Sequence, residues 1–302
     1  MVNPDNPSGF QRAMIELVGS DNYRELNPFD NKLEEKANIY FSDLRPQIVF
    51  IQAQCEDVID PHMTRRFCEN GAYVINWTGD KRKSIPRWMV DLAPYVSCTA
   101  FSNMDDVTEM RHQGFTSEYL DIGYDSAIYS PEGVTKDSPE IVFMGNDFGD
   151  NAFPMSKMRR EIVQYLDANY GNRFGVFGRG WDNSKSNMND FPIMQAATYR
   201  AAKVAINCNH FDCERYNSDR LLRILGCEAM CLSYKHREME KDFEEGTHLA
   251  YFSNLNELGT KLNFYLEHEE DRRKIAKNGQ LFVRNNCTFG NMVLNIFKLA
   301  ES

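Results

Sequence analysis

Apolar residues recur along this chain in two alternating rhythms. Short β-branched runs such as "QIVFIQ" (47–52) and "AYVINWT" (72–78) read as strands, because 4–7 consecutive apolar positions bounded by turn residues suit a buried strand. Between them lie stretches with apolar residues on one helical face. "HMTRRFCENG" ends in a glycine stop, and "SIPRW" opens with proline near its first turn. The alternation continues with the strand "SCTAFS" (97–102), the Asn-capped helix "NMDDVTEMRHQG" and the strand "SEYLDIG" (117–123). Strand–helix–strand repetition predicts a parallel sheet with helices on both faces.

Residues 130–139, "SPEGVTKDSP", have the composition of a linker, and the alternation then restarts. "EIVFMGN" (140–146), "RFGVFGRG", "KVAINCNH", "MCLSY" and "HLAYFS" read as strands. "FPMSKMRREIVQYLDANYG", "FPIMQAATYRAA" and "SDRLLRILG" read as helices, and three more close the chain between Leu255 and Ala300. The pattern predicts two doubly wound, Rossmann-like α/β domains, an N-terminal one over 1–130 and a C-terminal one over 140–302, whose last helix can pack back on the first domain. Ligands of such sheets bind beyond the carboxyl ends of strands, so a cleft between the halves is the expected working site. One irregularity stands out. The chain opens almost directly on a helix, "SGFQRAMIEL", so the usual first strand is either missing or supplied by "NYRELN" (22–27).

Composition narrows the class. The 302 residues are 42% hydrophobic and 26% charged, as in an ordered globular protein. No run approaches the roughly 20 apolar residues of a membrane span, and the N-terminus lacks a basic-then-apolar signal pattern, so a cytoplasmic protein is expected. Net charge is −10, all of it in residues 1–140, which hold 13 basic and 23 acidic residues. The remainder holds 21 of each. This disfavours a broad nucleic-acid surface and leaves room for a local basic groove. The eight cysteines sit mostly in apolar segments and behave as small hydrophobes. "CNHFDC" (Cys208, His210, Asp212, Cys213) lacks the second spaced pair of a zinc site, so no metal and no other cofactor is expected.

Candidate chemistry collects at strand ends. "YNSDRLLRILG" starts a helix after a polar loop. Its free N–H groups, with Asn217, Ser218 and Arg220, make an anion site, and Arg223 follows one turn later. The plainer reading is a capped helix whose arginines pair with acids such as Glu214 and Asp219. Gly145 and Asn146 follow the first strand of the second half, and Gly178, Arg179 and Gly180 follow its second, where glycine permits close backbone approach. In the first half, Asp80 in "NWTGDKRK" follows a strand and can serve as general base toward an acceptor hydroxyl, or be a turn acid paired with Lys81 or Lys83. "PSGF" (7–10), with Ser8 and Gly9, is a second helix-start loop, for a ligand or only a cap.

These residues carry a resemblance. "SDRL..ILG", "EKDFEEGTHL..F", "EL...L.FYLEHEE.R..IA.NGQ" and the late "CTF" keep the order found in the C-terminal donor domain of GT-B glycosyltransferases, and the stretch is most similar to the spore-maturation-protein-like group of family 1/4 type. The likeness is specific over about 203–295 and extends through "VFGRGW" and "IVFMGN" to about 140, while the first half matches by architecture and by "GYDSAIYSP". It implies a GT-B fold and a nucleotide-sugar donor, UDP-linked, held by the second half without a metal. It puts Gly145 and Asn146 near the sugar-phosphate, Gly178, Arg179 and Gly180 near base and phosphates, and Ser218, Asp219 and Arg220 at the diphosphate end. The family's helix carries Glu and then Gly where this chain has Arg223 and Glu228. That departure bears on the ribose contact and makes a non-catalytic nucleotide or sugar sensor the competing class. The acceptor stays open among carbohydrate, small molecule, protein and DNA base. The patch "KRKSIPR", with Lys81 and Lys83 on the acceptor side, favours a phage-type enzyme acting on hydroxymethylated pyrimidines, and the acidic first half disfavours it.

Overall fold

The computed structural model describes residues 9–135, 137–186 and 191–301. The chain divides into two units, Met1–Ile122 with Phe289–Ser302, and Gly123–Thr288.

The first unit runs α1 (Gly9–Val18), α2 (Leu33–Leu44), β1 (Ile48–Ile51), α3 (Pro61–Glu69), β2 (Tyr73–Thr78), α4 (Arg87–Leu92), β3 (Cys98–Phe101), α5 (Met104–His112) and β4 (Ser117–Tyr119). Its four strands lie parallel in chain order, β1-β2-β3-β4. Right-handed crossovers advancing in one direction put the connecting helices on one face of the sheet. Val74 packs there with Met63 and Phe67, and Phe101 with Met89, Val107 and Met110. The alternate residues Ile75, Trp77, Cys98 and Ala100 face the other way. That face is closed by Phe10 of α1 and by the chain's closing helix, Phe289–Glu301, through Met292 and Ile296. The Trp77 indole fixes its place by donating to the Leu120 carbonyl at 2.8 Å.

The segment 22–27 supplies no strand. Residues 20–22 form a single 3₁₀ turn, and the Arg24 guanidinium donates to the carbonyls of Ser20, Asp21 and Tyr23. Local side-chain bonds of this kind compete with a sheet ladder. β1 therefore stands at the sheet edge.

The second unit runs β5 (Ile141–Met144), α6 (Ser156–Tyr170), β6 (Phe174–Phe177), α7 (Pro192–Ala201), β7 (Val204–Asn207), α8 (Asp219–Gly226), β8 (Met230–Tyr234), β9 (Ala250–Phe252), α9 (Leu255–Glu267) and α10 (Glu269–Asn286); the closing helix is α11. Its five parallel strands are ordered β6-β5-β7-β8-β9. The chain steps outward from β5 to β6, then returns past β5 to β7. The order thus reverses at the β5–β7 junction, where loops leaving adjacent strands part toward opposite faces and open a crevice. Ile141, Phe143, Val204, Ile206, Met230 and Leu232 fill the core beneath it. The segment before β5 is fastened to α7, because Arg200 donates to the carbonyls of Ile128, Ser130 and Val134 at 2.6–2.9 Å.

Between α8 and β8, Glu228 is exposed and held at φ +58°, a left-handed conformation that costs a side-chain-bearing residue about 1–2 kcal/mol. Its amide still donates to the Leu225 carbonyl at 2.9 Å. The backbone has kept a glycine geometry under a glutamate. Glu228→Gly is expected to stabilise the protein by about 1 kcal/mol, read as a rise in the urea midpoint at unchanged slope.

Candidate functional site

The β5–β7 crevice is built by two arginines. Arg159 lies on the buried stripe of α6 with Ser156, Ile162, Val163 and Leu166, and is only 2% exposed. Its guanidinium donates to the Cys208 carbonyl beyond β7 and to the Asn146 carbonyl beyond β5, the latter at 3.2 Å, and sits 5.0 Å over the Phe143 ring. Arg220, in the first turn of α8, donates to the same Cys208 carbonyl at 3.4 Å. The two charges meet over Gly145. A Cβ built there would lie 2.7 Å from Arg159 Nη2 and 3.0 Å from Arg220 Nη2, and Gly145 has φ +151°. Glycine at this position keeps the space that both guanidinium groups occupy.

Among the described residues neither arginine pairs with a carboxylate. Burial first, and the neighbouring Arg220 second, pull the Arg159 pKa down to about 9, so it remains cationic at neutral pH. Two like charges brought together in partial burial repel, and Arg220 accordingly lowers the pKa of Arg159. The first turn of α8 adds to this field. Ser218 is its N-cap residue, yet the hydroxyl makes no capping bond and donates instead to Asn207 Oδ1 at 3.3 Å. A helix N-terminus without a side-chain cap and two adjacent guanidinium groups together make a field that favours an anion.

The other residues expected near a donor have partners of their own in the fold. Asn146 accepts the Arg179 amide on its side-chain oxygen at 2.9 Å, and Asp147 N donates to the Arg179 carbonyl at 2.9 Å. These bonds stitch the loop after β5 to the loop after β6. Gly178 and Gly180 serve that seam: added Cβ atoms would lie 2.4 Å from the Gly145 carbonyl and 2.2 Å from the Asp147 carbonyl. Their close approach is to the neighbouring loop. Asn217 is buried and donates to Asp242 at 3.3 Å. Asp219 is engaged by Arg223 at 2.5 Å; Arg223 also reaches Gln195 at 3.3 Å and lies 5.2 Å over the Tyr129 ring. Of the two helix arginines, one therefore faces the crevice and the other is held by its own helix and its neighbours, as the plainer reading expects.

His210, quoted above only for zinc, belongs to this crevice. Its ring packs 4.5 Å from Phe153 and 5.6 Å from Phe148. Burial first, then Arg159 and Arg220, push its pKa down to about 3, so it is neutral. Its Nδ1 is buried without a hydrogen-bond partner. Among the described residues no three His, Cys, Asp or Glu side chains converge as metal ligands. The signal for Arg159 was present in the chain: an arginine at a core position of an apolar helical stripe.

In the first unit, Asp80 is exposed, and its amide donates to Thr78 Oγ1 at 3.2 Å. Lys81 turns inward to a buried ion pair with Asp106 at 2.5 Å, with side-chain exposures of 9% and 5%. Asn103 donates to the second Asp106 oxygen at 2.9 Å while capping α5. Lys81 is thus engaged by the fold itself, and Lys83 is exposed. Gly9 begins α1, and Ser8 lies outside the described residues.

Residues 159–298, a little under half of the chain, match the family model described as "Glycosyl transferase-like". No curated protein matches. Among solved structures, the Anabaena HepE protein in complex with UDP and glucose is 12% identical over 96% of this chain and 88% of its own, with a TM-score of 0.64. A glycosyltransferase from Rickettsia africae ESF-5 is 10% identical over 92% and 83%, with a TM-score of 0.58. The sucrose-phosphate synthase of Thermosynechococcus elongatus is 11% identical over 89% and 77%, with a TM-score of 0.57. At these identities the likeness is one of fold, and the fold is GT-B, with two Rossmann-like α/β units. Among the described residues no helix is long and apolar enough to cross a membrane.

The Lys81–Asp106 pair lies directly beside the exposed Asp80 in the turn after β2. Asp106→Ala leaves a buried, uncompensated ammonium and is expected to cost about 3–5 kcal/mol. Asp80→Ala, at an exposed carboxylate, should stay within about 0.5 kcal/mol of the parent. Urea denaturation of the two variants checks both.

Proposed function

We propose that this chain transfers a sugar from a UDP-linked donor to an acceptor hydroxyl, without a metal ion. The observation that carries the reading is the pair of uncompensated guanidinium groups, Arg159 and Arg220, meeting over Gly145 where the strand order reverses. A diphosphate matches that field in charge and in its supply of acceptor oxygens. The match of residues 159–298 to a glycosyl transferase-like model, and the likeness in fold to a protein solved with UDP and glucose, support the same reading.

In this reading the bond between the anomeric carbon and the β-phosphate oxygen breaks, and its electron pair goes to the departing diphosphate. Arg159, Arg220 and the free amides of α8 offset the charge that develops there. The acceptor oxygen bonds to the anomeric carbon and gives up its proton, for which Asp80 is the proposed base. A base used in this way suits in-line attack with inversion. Gly145 and Asn146 lie beside the sugar-phosphate. Ser218 contributes its place at the helix start, and Asp219 acts by holding Arg223. The carbohydrate, small-molecule, protein and DNA-base acceptors remain alternatives within one chemistry.

The substitutions at Arg223 and Glu228 favour a second reading, a binding protein that senses a nucleotide sugar without turning it over. Slow release of UDP from a UDP-sugar separates the two: an enzyme hydrolyses its donor in the absence of acceptor, and a sensor binds it unchanged.

Arg220→Ala is expected to weaken UDP binding by about 1.5–3 kcal/mol, the range for a hydrogen bond to a charged group, measured by calorimetry. An unchanged affinity contradicts the assignment. Asp80→Asn should lower kcat by a factor of about 10²–10⁴ with UDP affinity unchanged. Comparable turnover removes Asp80 from the chemistry.

A further inference from the structure

A cavity of about 400 Å³ lies in the first unit, between α1, α2 and the edge strand β1. Phe10 and Met14 wall it from α1, Ala37 and Phe41 from α2, and Phe50 and Phe67 from the sheet and α3. The volume falls within the range of small-molecule pockets. Asn22, Arg24, Glu25 and Gln52 are exposed at the rim, and the half-buried Tyr23 and Tyr40 add hydroxyls to a mostly apolar lining. Two of these are already engaged: Arg24 holds three backbone carbonyls and lies 5.9 Å from the Tyr40 ring, and Glu25 accepts the Tyr23 hydroxyl at 3.1 Å.

The cavity exists because β1 has no outer neighbour among the described residues. Three of the four residues of Ile48–Ile51 are only half-buried, whereas β3 is buried throughout and β2 in five of six positions. An apolar edge strand of this kind is a hazard unless something covers it. Size and chemistry call for a neutral guest with a ring or a branched hydrocarbon body.

The rim connects to the Asp80 turn. Gln52 and Ala53, at the carboxyl end of β1, line the cavity. Gln54 follows; its carbonyl accepts from Arg82 at 2.7 Å and its side chain meets Thr78 Oγ1 at 3.5 Å. That hydroxyl accepts the Asp80 amide. We propose that this cavity binds the apolar body of an uncharged alcohol, and that such an alcohol is the acceptor. The binding claim stands on the cavity alone; the acceptor claim rests on the glycosyl-transfer reading.

The test uses the full chain and 1-naphthol, with glucose as the polar control. Fluorescence titration is expected to give one saturable site with a dissociation constant on the order of 10–100 µM, and no competition by glucose. Ala37→Phe fills the cavity and should weaken naphthol binding at least tenfold while UDP binding is unchanged. If Ala37→Phe does not fold, Leu26→Asp on the half-buried wall gives the same comparison. Absence of saturable naphthol binding, or equal binding in the filled variant, overturns the proposal. Naphthol binding without UDP binding sinks the glycosyl-transfer reading and leaves the cavity assigned. With both bound, UDP-sugar-dependent formation of naphthyl glycoside that falls with Ala37→Phe supports the acceptor class, and its absence removes it.

Discussion

Two positive charges held side by side over a glycine are the costly interaction on which the second unit is organised. Arg159 is almost wholly buried and Arg220 stands next to it, and both lean on one carbonyl, that of Cys208. Among the described residues no carboxylate forms an ion pair with either; the nearby Asp147 is held by Arg160. Such an arrangement survives because the β5–β7 reversal forces two loops apart, leaves their carbonyls pointing into the gap, and brings the start of α8 to the same spot. Partial negative charge from backbone oxygens makes the pair tolerable, and in the proposed function the diphosphate of the donor offsets the rest. Gly145, the seam between residues 145–147 and 178–180, and the aromatic packing of neutral His210 all serve to keep that arrangement rigid.

The first unit solves a different problem. Its strands run in chain order, so its crossovers cover one face only, and α1 and α11 must cover the other. The turn after β2 is fixed from beneath by Lys81 and Asp106, and the exposed carboxylate of Asp80 sits on top of it. A buried ion pair adds little net stability, but it specifies where a turn must lie. In this unit the proposed base is the exposed carboxylate, and the lysine beside it is held in an ion pair of the fold.

Much of this was legible along the chain. Strand runs such as "IVFM" and "VAIN", the Asn103 cap, and the Gly171 stop are local signals, and each produces the element it predicts. Arg220 was legible too, because a helix-start arginine after a polar loop has few places to point. What escaped was set by tertiary neighbours. Arg159 looks like one more charge in "KMRRE" until its position on the buried stripe is counted. The glycines after β6 suggested room for a ligand, and the room is taken by an adjacent loop. Whether Arg223 faced a ligand or Asp219 depended on a rotamer, which no periodicity encodes.

The return of α11 to the first sheet has a consequence for biogenesis. Residues 289–301 complete a hydrophobic face whose other contributors were made some 170 or more positions earlier. The second unit, Gly123–Thr288, is contiguous and can mature while translation continues. The half synthesised first keeps Trp77 and Ile75 without their α11 partners until residues 289–301 are made. The far face of the first sheet is thus completed by the segment of its unit that is synthesised after the whole second unit.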